Sequence, residues 1–259
     1  MKIPFYQIDA FTDKVFQGNP AAVCMLDEWL SVSVMQSIAA ENNLAETAFC
    51  VANDHGYAIR WFTPQVEVDL CGHATLATAH VLFNELAVEQ ASISFQSNSG
   101  RLYVRRRNGL LELNFPAEKA LQCAVPNGLC EALGANISIC LKNVDYLVVL
   151  QSEQMLTDLR PDFEQLQDLE ARGVIVTAPS TNYDFVSRFF APAVGVNEDP
   201  VTGSAFTKLI PYWAERLDKT SMQAKQISAR GGEVHCELAE NRVLIAGNSV
   251  LYAKGEIII

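Results

Sequence analysis

The chain has 259 residues, enough for one large domain or two of average size, and its 49% hydrophobic and 19% charged content suits a folded protein, not a disordered one. A formal net charge of −11 opposes nucleic-acid and anionic-membrane partners, which need a positive field. No run of about 18 apolar residues occurs and Met1–Tyr6 lacks the apolar core of a secretory signal, so no membrane partner and a cytoplasmic location are expected.

In chain order, a strand is predicted over Tyr6–Asp9 and a helix near Val32–Glu41 with Ser31 as its cap. The segment Asn42–Phe49 places a lone carboxylate, Glu46, at the start of an apolar strand over Thr47–Ala52. A carboxyl group partly removed from water suits both taking and returning a proton; a plain surface strand end is the alternative. A strand over Ile59–Phe62 follows, then Gly72 and a run, Ala74–Phe83, that is apolar almost all round, as expected of a helix surrounded by other structure. After a strand at Ser92–Phe95, the basic triplet Arg105–Arg107 precedes Asn108–Gly109 and reads as one arm of a solvated hairpin whose other arm is Leu110–Phe115. Pro116–Ala120 reads as a boundary, giving lobes 1–116 and 117–259, with the last strands free to return to the first lobe. Strands over Tyr146–Leu150, Gly173–Thr177 and Phe185–Phe190, and a final hairpin through Arg242–Ile245, complete the second lobe.

The chain repeats itself once. Arg60-Trp61-Phe62-Thr63-Pro64, Asp69 and Cys71-Gly72-His73-Ala74 recur in order as Arg188-Phe189-Phe190-Ala191-Pro192, Asp199 and Thr202-Gly203-Ser204-Ala205. Downstream, Ser97–Gly100 corresponds to Ser228–Gly232, each leading into a hairpin. Two alike lobes facing each other would bring corresponding loops across a cleft, a common place for a small-molecule site. Those loops hold the helix starts Gly72-His73 and Gly203-Ser204, whose leading N–H groups form anion-binding corners able to hold a carboxylate or a developing oxyanion. Tight packing of a helix after a strand is the bland alternative for both glycines.

Seven cysteines, odd in number and without a Cys-x-x-Cys pair, suggest neither a disulfide framework nor a zinc site; most should be buried apolar residues. No Gly-x-Gly-x-x-Gly, no phosphate-binding loop and no His/Asp cluster at metal spacing occurs, so no cofactor or metal is expected, and His55, His80 and His235 read as ordinary polar residues.

Asn19-Pro20, Asn43–Thr47, Arg60–Pro64, Asp69–Thr75, Glu198–Ala205 and Arg230–Gly232, taken together and in this order, resemble the motifs of the phenazine-biosynthesis isomerase (PhzF-like) family. The resemblance implies an α+β, diaminopimelate-epimerase-like fold: two duplicated lobes, each a mixed sheet or barrel curled around a central helix. It implies a cofactor-independent isomerase acting on a small carboxylate-bearing substrate, possible as a homodimer. Glu46 matches the acid/base glutamate, with His73, Asp199 and Ser204 as neighbouring catalytic groups, and Gly72, Gly203, Asn19 and Thr202 as substrate-binding positions. At a helix start the dipole disfavours an imidazolium, so a neutral His73 ring able to relay a proton is expected. Asp199 suits capping of the second helix as well as catalysis.

Two rival functions remain. Two-base epimerases of this fold use one cysteine per lobe; here Cys71 is matched by Thr202, whose hydroxyl cannot replace a thiol, which leaves a thiol-dependent epimerase or dehydratase using Cys71 alone. A non-catalytic small-molecule-binding protein is the other. Ala45 and Phe206 depart from the family pattern at positions expected to flank the site, so the substrate is not carried over with the mechanism.

Overall fold

The computed structural model describes residues 1–259, which fall into two compact units: Met1–Asn114 with Ala246–Ile259, and Phe115–Ile245.

In the first unit, strand Lys2–Ala10 runs antiparallel to both Asn19–Leu26 and the C-terminal strand Ser249–Ile258. From Asn19–Leu26 the sheet continues in parallel to Glu46–Asn53, antiparallel to Gly56–Phe62 and parallel to Ser92–Ser97. Helix Val32–Asn42 begins where Ser31 accepts from the Val34 amide and ends at Asn43, whose left-handed backbone (φ 48°) turns the chain toward Glu46. The predicted hairpin is present: Gly100–Arg107 pairs with Leu110–Pro116 across Asn108 and Gly109, both at positive φ as a tight two-residue turn demands. Two of its three arginines, Arg105 and Arg107, bind the buried Glu112 carboxylate.

The central helix Gly72–His80 is buried at every position from His73 onward, and strands from Lys2–Ala10, Asn19–Leu26, Glu46–Asn53 and Ser249–Ile258 pack on it. That enclosure explains the all-round apolar run. The predicted end differs, because the last turn, Val81–Glu85, widens into a π-helix in which the Leu86 amide reaches the Val81 carbonyl.

The second unit repeats the arrangement on its own. Tyr146–Val149 runs parallel to Val174–Pro179, which is antiparallel to Phe185–Phe190, itself parallel to Ser221–Gln226. This parallel, antiparallel, parallel order is that of the first unit's strands from Asn19 to Ser97. Each copy also carries the same ion pair: Arg60 grips Glu67 through two hydrogen bonds at 2.7 and 2.6 Å, and Arg188 grips Glu198 at 2.7 and 2.9 Å.

The second central helix, Gly203–Leu217, packs its Trp213 ring flat on Phe185, while Phe206 meets Phe185 at 6.2 Å. Burying rings of this size contributes roughly 1.5–3 kcal/mol each. Pro211 lies inside this helix and cannot donate to the Thr207 carbonyl one turn back; the Glu118 amide supplies that bond instead at 3.0 Å. Phe206, expected to flank the site, is instead fully buried against this aromatic cluster in the core of the second unit.

No helix is long and apolar enough to cross a membrane.

Candidate active site

The first helix start draws together residues from three elements. Strand pairing sets Glu46 opposite Ala21, two residues beyond Asn19, because Asn19–Leu26 and Glu46–Asn53 run in parallel register. Asn42, at the end of the preceding helix, donates its side-chain amide to the Thr47 hydroxyl at 3.1 Å and so fixes how Glu46 enters the strand. His73 is the second residue of the central helix and is buried.

Asn19 Nδ2 lies 3.2 Å from His73 Nδ1, Cys71 Sγ lies 3.5 Å from the same nitrogen, and Glu46 Oε2 lies 3.1 Å from His73 Nε2. The Glu46 and His73 atoms are close but out of line. Neither has a hydrogen-bond partner, although both are shut off from solvent. They form a buried ion pair at 3.1 Å that lacks in-line hydrogen-bond geometry.

The electrostatics correct one expectation. Burial works against a charged His73 ring, but negative charge on Cys71 and Glu46 works for it and wins, so His73 is held well above the ordinary histidine value, not neutral. The helix dipole that favoured a neutral ring is outweighed by a carboxylate at 3.1 Å. Burial pushes the Cys71 thiol up in turn, an effect strengthened by Glu46 and only partly opposed by His73. The Asn19 amide can serve either ring state, donating to a bare Nδ1 or, turned over, accepting from Nδ1–H.

Glu46, Cys71 and His73 also bring three potential metal-ligand atoms within 4.8 Å of one another. The imidazole stands between the other two groups, with Nδ1 toward sulfur and Nε2 toward the carboxylate.

At the second helix start, Thr202 is the N-cap, not Asp199, and its side chain makes no capping bond. Cys71 is likewise an N-cap without a side-chain capping bond, so both helices leave their first amides uncapped by their own cap residue. The Thr202 hydroxyl instead donates to Asp199 Oδ2 at 2.5 Å, and buried Gln226 clamps the loop by accepting from the Thr202 amide and donating to the Asp199 carbonyl.

Ser204 accepts from Arg172 Nη2 at 3.0 Å, while Arg172 grips the wholly buried Asp145 through two charge-assisted bonds. Buried Lys208, one turn beyond Ser204, donates to the Ser204 carbonyl, pairs with Glu118 and faces Asp145 at 3.8 Å. Sequence reasoning missed Asp145, Arg172, Lys208 and Gln226. Only Lys208 carried a local signal, as a charge inside the apolar run Ala205–Ile210 at four residues' spacing from Ser204.

Of the eight sequence-derived site residues, Asn19, Glu46, Gly72 and His73 thus share one corner of the first unit, and Asp199, Thr202, Gly203 and Ser204 share one of the second. His80 is elsewhere, bonded to Ser249 and Asn84, as an ordinary polar residue should be.

The family model described as phenazine biosynthesis-like protein matches residues 8–255. An uncharacterized isomerase from Pseudomonas aeruginosa is 54% identical over 255 residues, covering 98% of each chain. The crystal structure of a PhzF-family phenazine biosynthesis protein from Enterococcus faecalis superimposes with a TM-score of 0.98 at 48% identity over the full length of both. A hydroxyproline epimerase from Agrobacterium vitis, at 9% identity and a TM-score of 0.63, shares the fold alone, covering 99% of this chain and 92% of its own. The α+β epimerase-type fold expected from the sequence is therefore the fold observed, and the chain belongs to the phenazine biosynthesis-like (PhzF) family of isomerases.

Proposed function

We propose that the protein is a cofactor-independent isomerase that moves a proton between two carbons of a small carboxylate-bearing substrate, with Glu46 as the acid/base. The observation that carries this reading is the buried ion pair of Glu46 Oε2 and His73 Nε2, 3.1 Å apart and without an in-line hydrogen bond, at a helix start whose cap residue makes no side-chain capping bond. The Glu46 carboxylate takes a proton from one carbon, and the electron pair left behind delocalises toward a substrate oxygen. The Gly72 and His73 amides, with the charged His73 ring, stabilise the anion formed. Protonated Glu46 then returns the proton to a second carbon on the same face, so no net charge or oxidation state changes. In the second unit, Ser204 and the Gly203 amide are the proposed ligand-facing groups, with Asp199 oriented by Thr202.

Incubating the purified chain in D2O with a panel of aromatic and aliphatic amino-substituted carboxylates, and reading deuterium at carbon by NMR, tests the proposal. Exchange should appear with at least one compound, fall by about 10²–10⁴-fold in Glu46→Gln and survive in Cys71→Ser. Loss in Cys71→Ser with retention in Glu46→Gln would replace this reading with the thiol one. Binding without exchange across the panel would favour a binding protein.

A further inference from the structure

Four of the seven cysteines, Cys24, Cys50, Cys71 and Cys236, are buried singly, but the second unit holds a pair with different surroundings. Strand Leu121–Gln122 runs antiparallel to Ile139–Lys142 with Gln122 opposite Leu141. The next position in that register sets Cys123 opposite Cys140, and the Cys123 amide donates to the Cys140 carbonyl at 3.0 Å. Their sulfurs lie 3.6 Å apart, joined as S–H···S, with Cys123 half-buried and Cys140 buried. Directly opposed, hydrogen-bonded residues of an antiparallel pair have Cα atoms about 5.5 Å apart, inside the span a disulfide bridges.

We propose that Cys123 and Cys140 form a reversible oxidative modification site, closing to a disulfide across this short strand pair when the protein meets a peroxide. The Cys123 thiolate attacks one peroxide oxygen: an S–O bond forms, the O–O bond breaks, and the departing oxygen leaves as water. Cys123 is oxidised to a sulfenic acid and the peroxide is reduced. The Cys140 sulfur then attacks the sulfenic sulfur, an S–S bond forms, the S–O bond breaks, and a second water carries off the Cys140 proton. The order follows from the surroundings. Cys123 is the more accessible sulfur and so meets the peroxide first, while burial and the neighbouring Cys123 push the Cys140 thiol up to about 12, so that it is not the sulfur oxidised first. Closing the bond needs the sulfurs to approach from 3.6 Å to about 2.0 Å, a side-chain rotation with the backbone already in place.

The sequence makes the test direct. Lys119 and Lys142 bound a tryptic peptide that contains Cys123, Cys130 and Cys140, and Glu131 is its only acidic residue, so a glutamate-specific protease splits it between Cys130 and Cys140. The full-length chain is treated with hydrogen peroxide, alkylated, and digested with both proteases without reduction. The expected result is that the two halves remain joined, lighter by two hydrogen atoms, with Cys130 alkylated, and separate on reduction. The link should persist in Cys130→Ser and vanish in Cys123→Ser. Halves that separate without reduction, with Cys123 alkylated or over-oxidised to sulfinic acid, would overturn the proposal, as would a link through Cys130.

Discussion

Arg172→Met separates the second unit's ion network from its packing. Asp145 is wholly buried and takes two charge-assisted hydrogen bonds from Arg172, at 2.8 and 2.5 Å. Removing one partner of a buried pair strands the other charge and costs about 3–5 kcal/mol. Two features place this site at the lower end: the Arg172 side chain is 36% exposed, so water reaches the vacated position, and Lys208 still faces Asp145 at 3.8 Å. The expected loss is therefore about 3 kcal/mol, or a Tm lower by about 6–12 °C at the ~2–4 °C per kcal/mol of a chain this size. Replacing both charges, as Asp145→Asn with Arg172→Met, removes the stranded carboxylate and should recover half or more of the loss. Urea unfolding and calorimetry at pH 7 on the wild type, the single variant and the double variant measure each value. A single-variant loss under about 1 kcal/mol, or a double variant no more stable than Arg172→Met, would show that the buried carboxylate does not depend on Arg172.

His73 ties stability to pH. Its folded-state value lies above the unfolded value of about 6.5, so the folded chain holds that proton more tightly than the unfolded one. The stabilisation is complete below about pH 6.5 and is lost as pH rises through the folded value. The Tm gap between wild type and His73→Gln should therefore be widest near pH 6 and narrow toward the alkaline side; a gap that widens with pH would mean that the ring is neutral, as the helix dipole alone would have it. Phe206→Ala should cost about 3–5 kcal/mol in urea unfolding, because the ring is fully buried against Phe185. A cost under about 1 kcal/mol would mean that the ring lines open space after all.

What the sequence revealed and what it hid divide along one physical line, the distance along the chain between a residue and the groups that give it meaning. The helix starts at Gly72 and Gly203, the Asn108–Gly109 turn and the Ser31 cap were legible because each is specified by neighbours within one turn. The duplication was legible because a repeated string needs no folding to be seen, whereas its recurring ion pairs, Arg60–Glu67 and Arg188–Glu198, emerge only in the structure. The protonation of His73 was misread because the deciding charge, Glu46, reaches it only through the parallel pairing of strands Asn19–Leu26 and Glu46–Asn53. Asp145 and Arg172 were invisible for the same reason: each is an unremarkable charge before an apolar strand, and only the alignment of Tyr146 with Val174 makes them partners. A side chain whose role is set by strand register has no local signature, since a shift of one residue would turn it to the other face. The groups that surround Glu46 and Ser204 are therefore those a linear reading finds last. Variants that alter register, not motif, should separate the two: they would leave every recognisable string intact while parting His73 from Glu46 and Ser204 from Arg172.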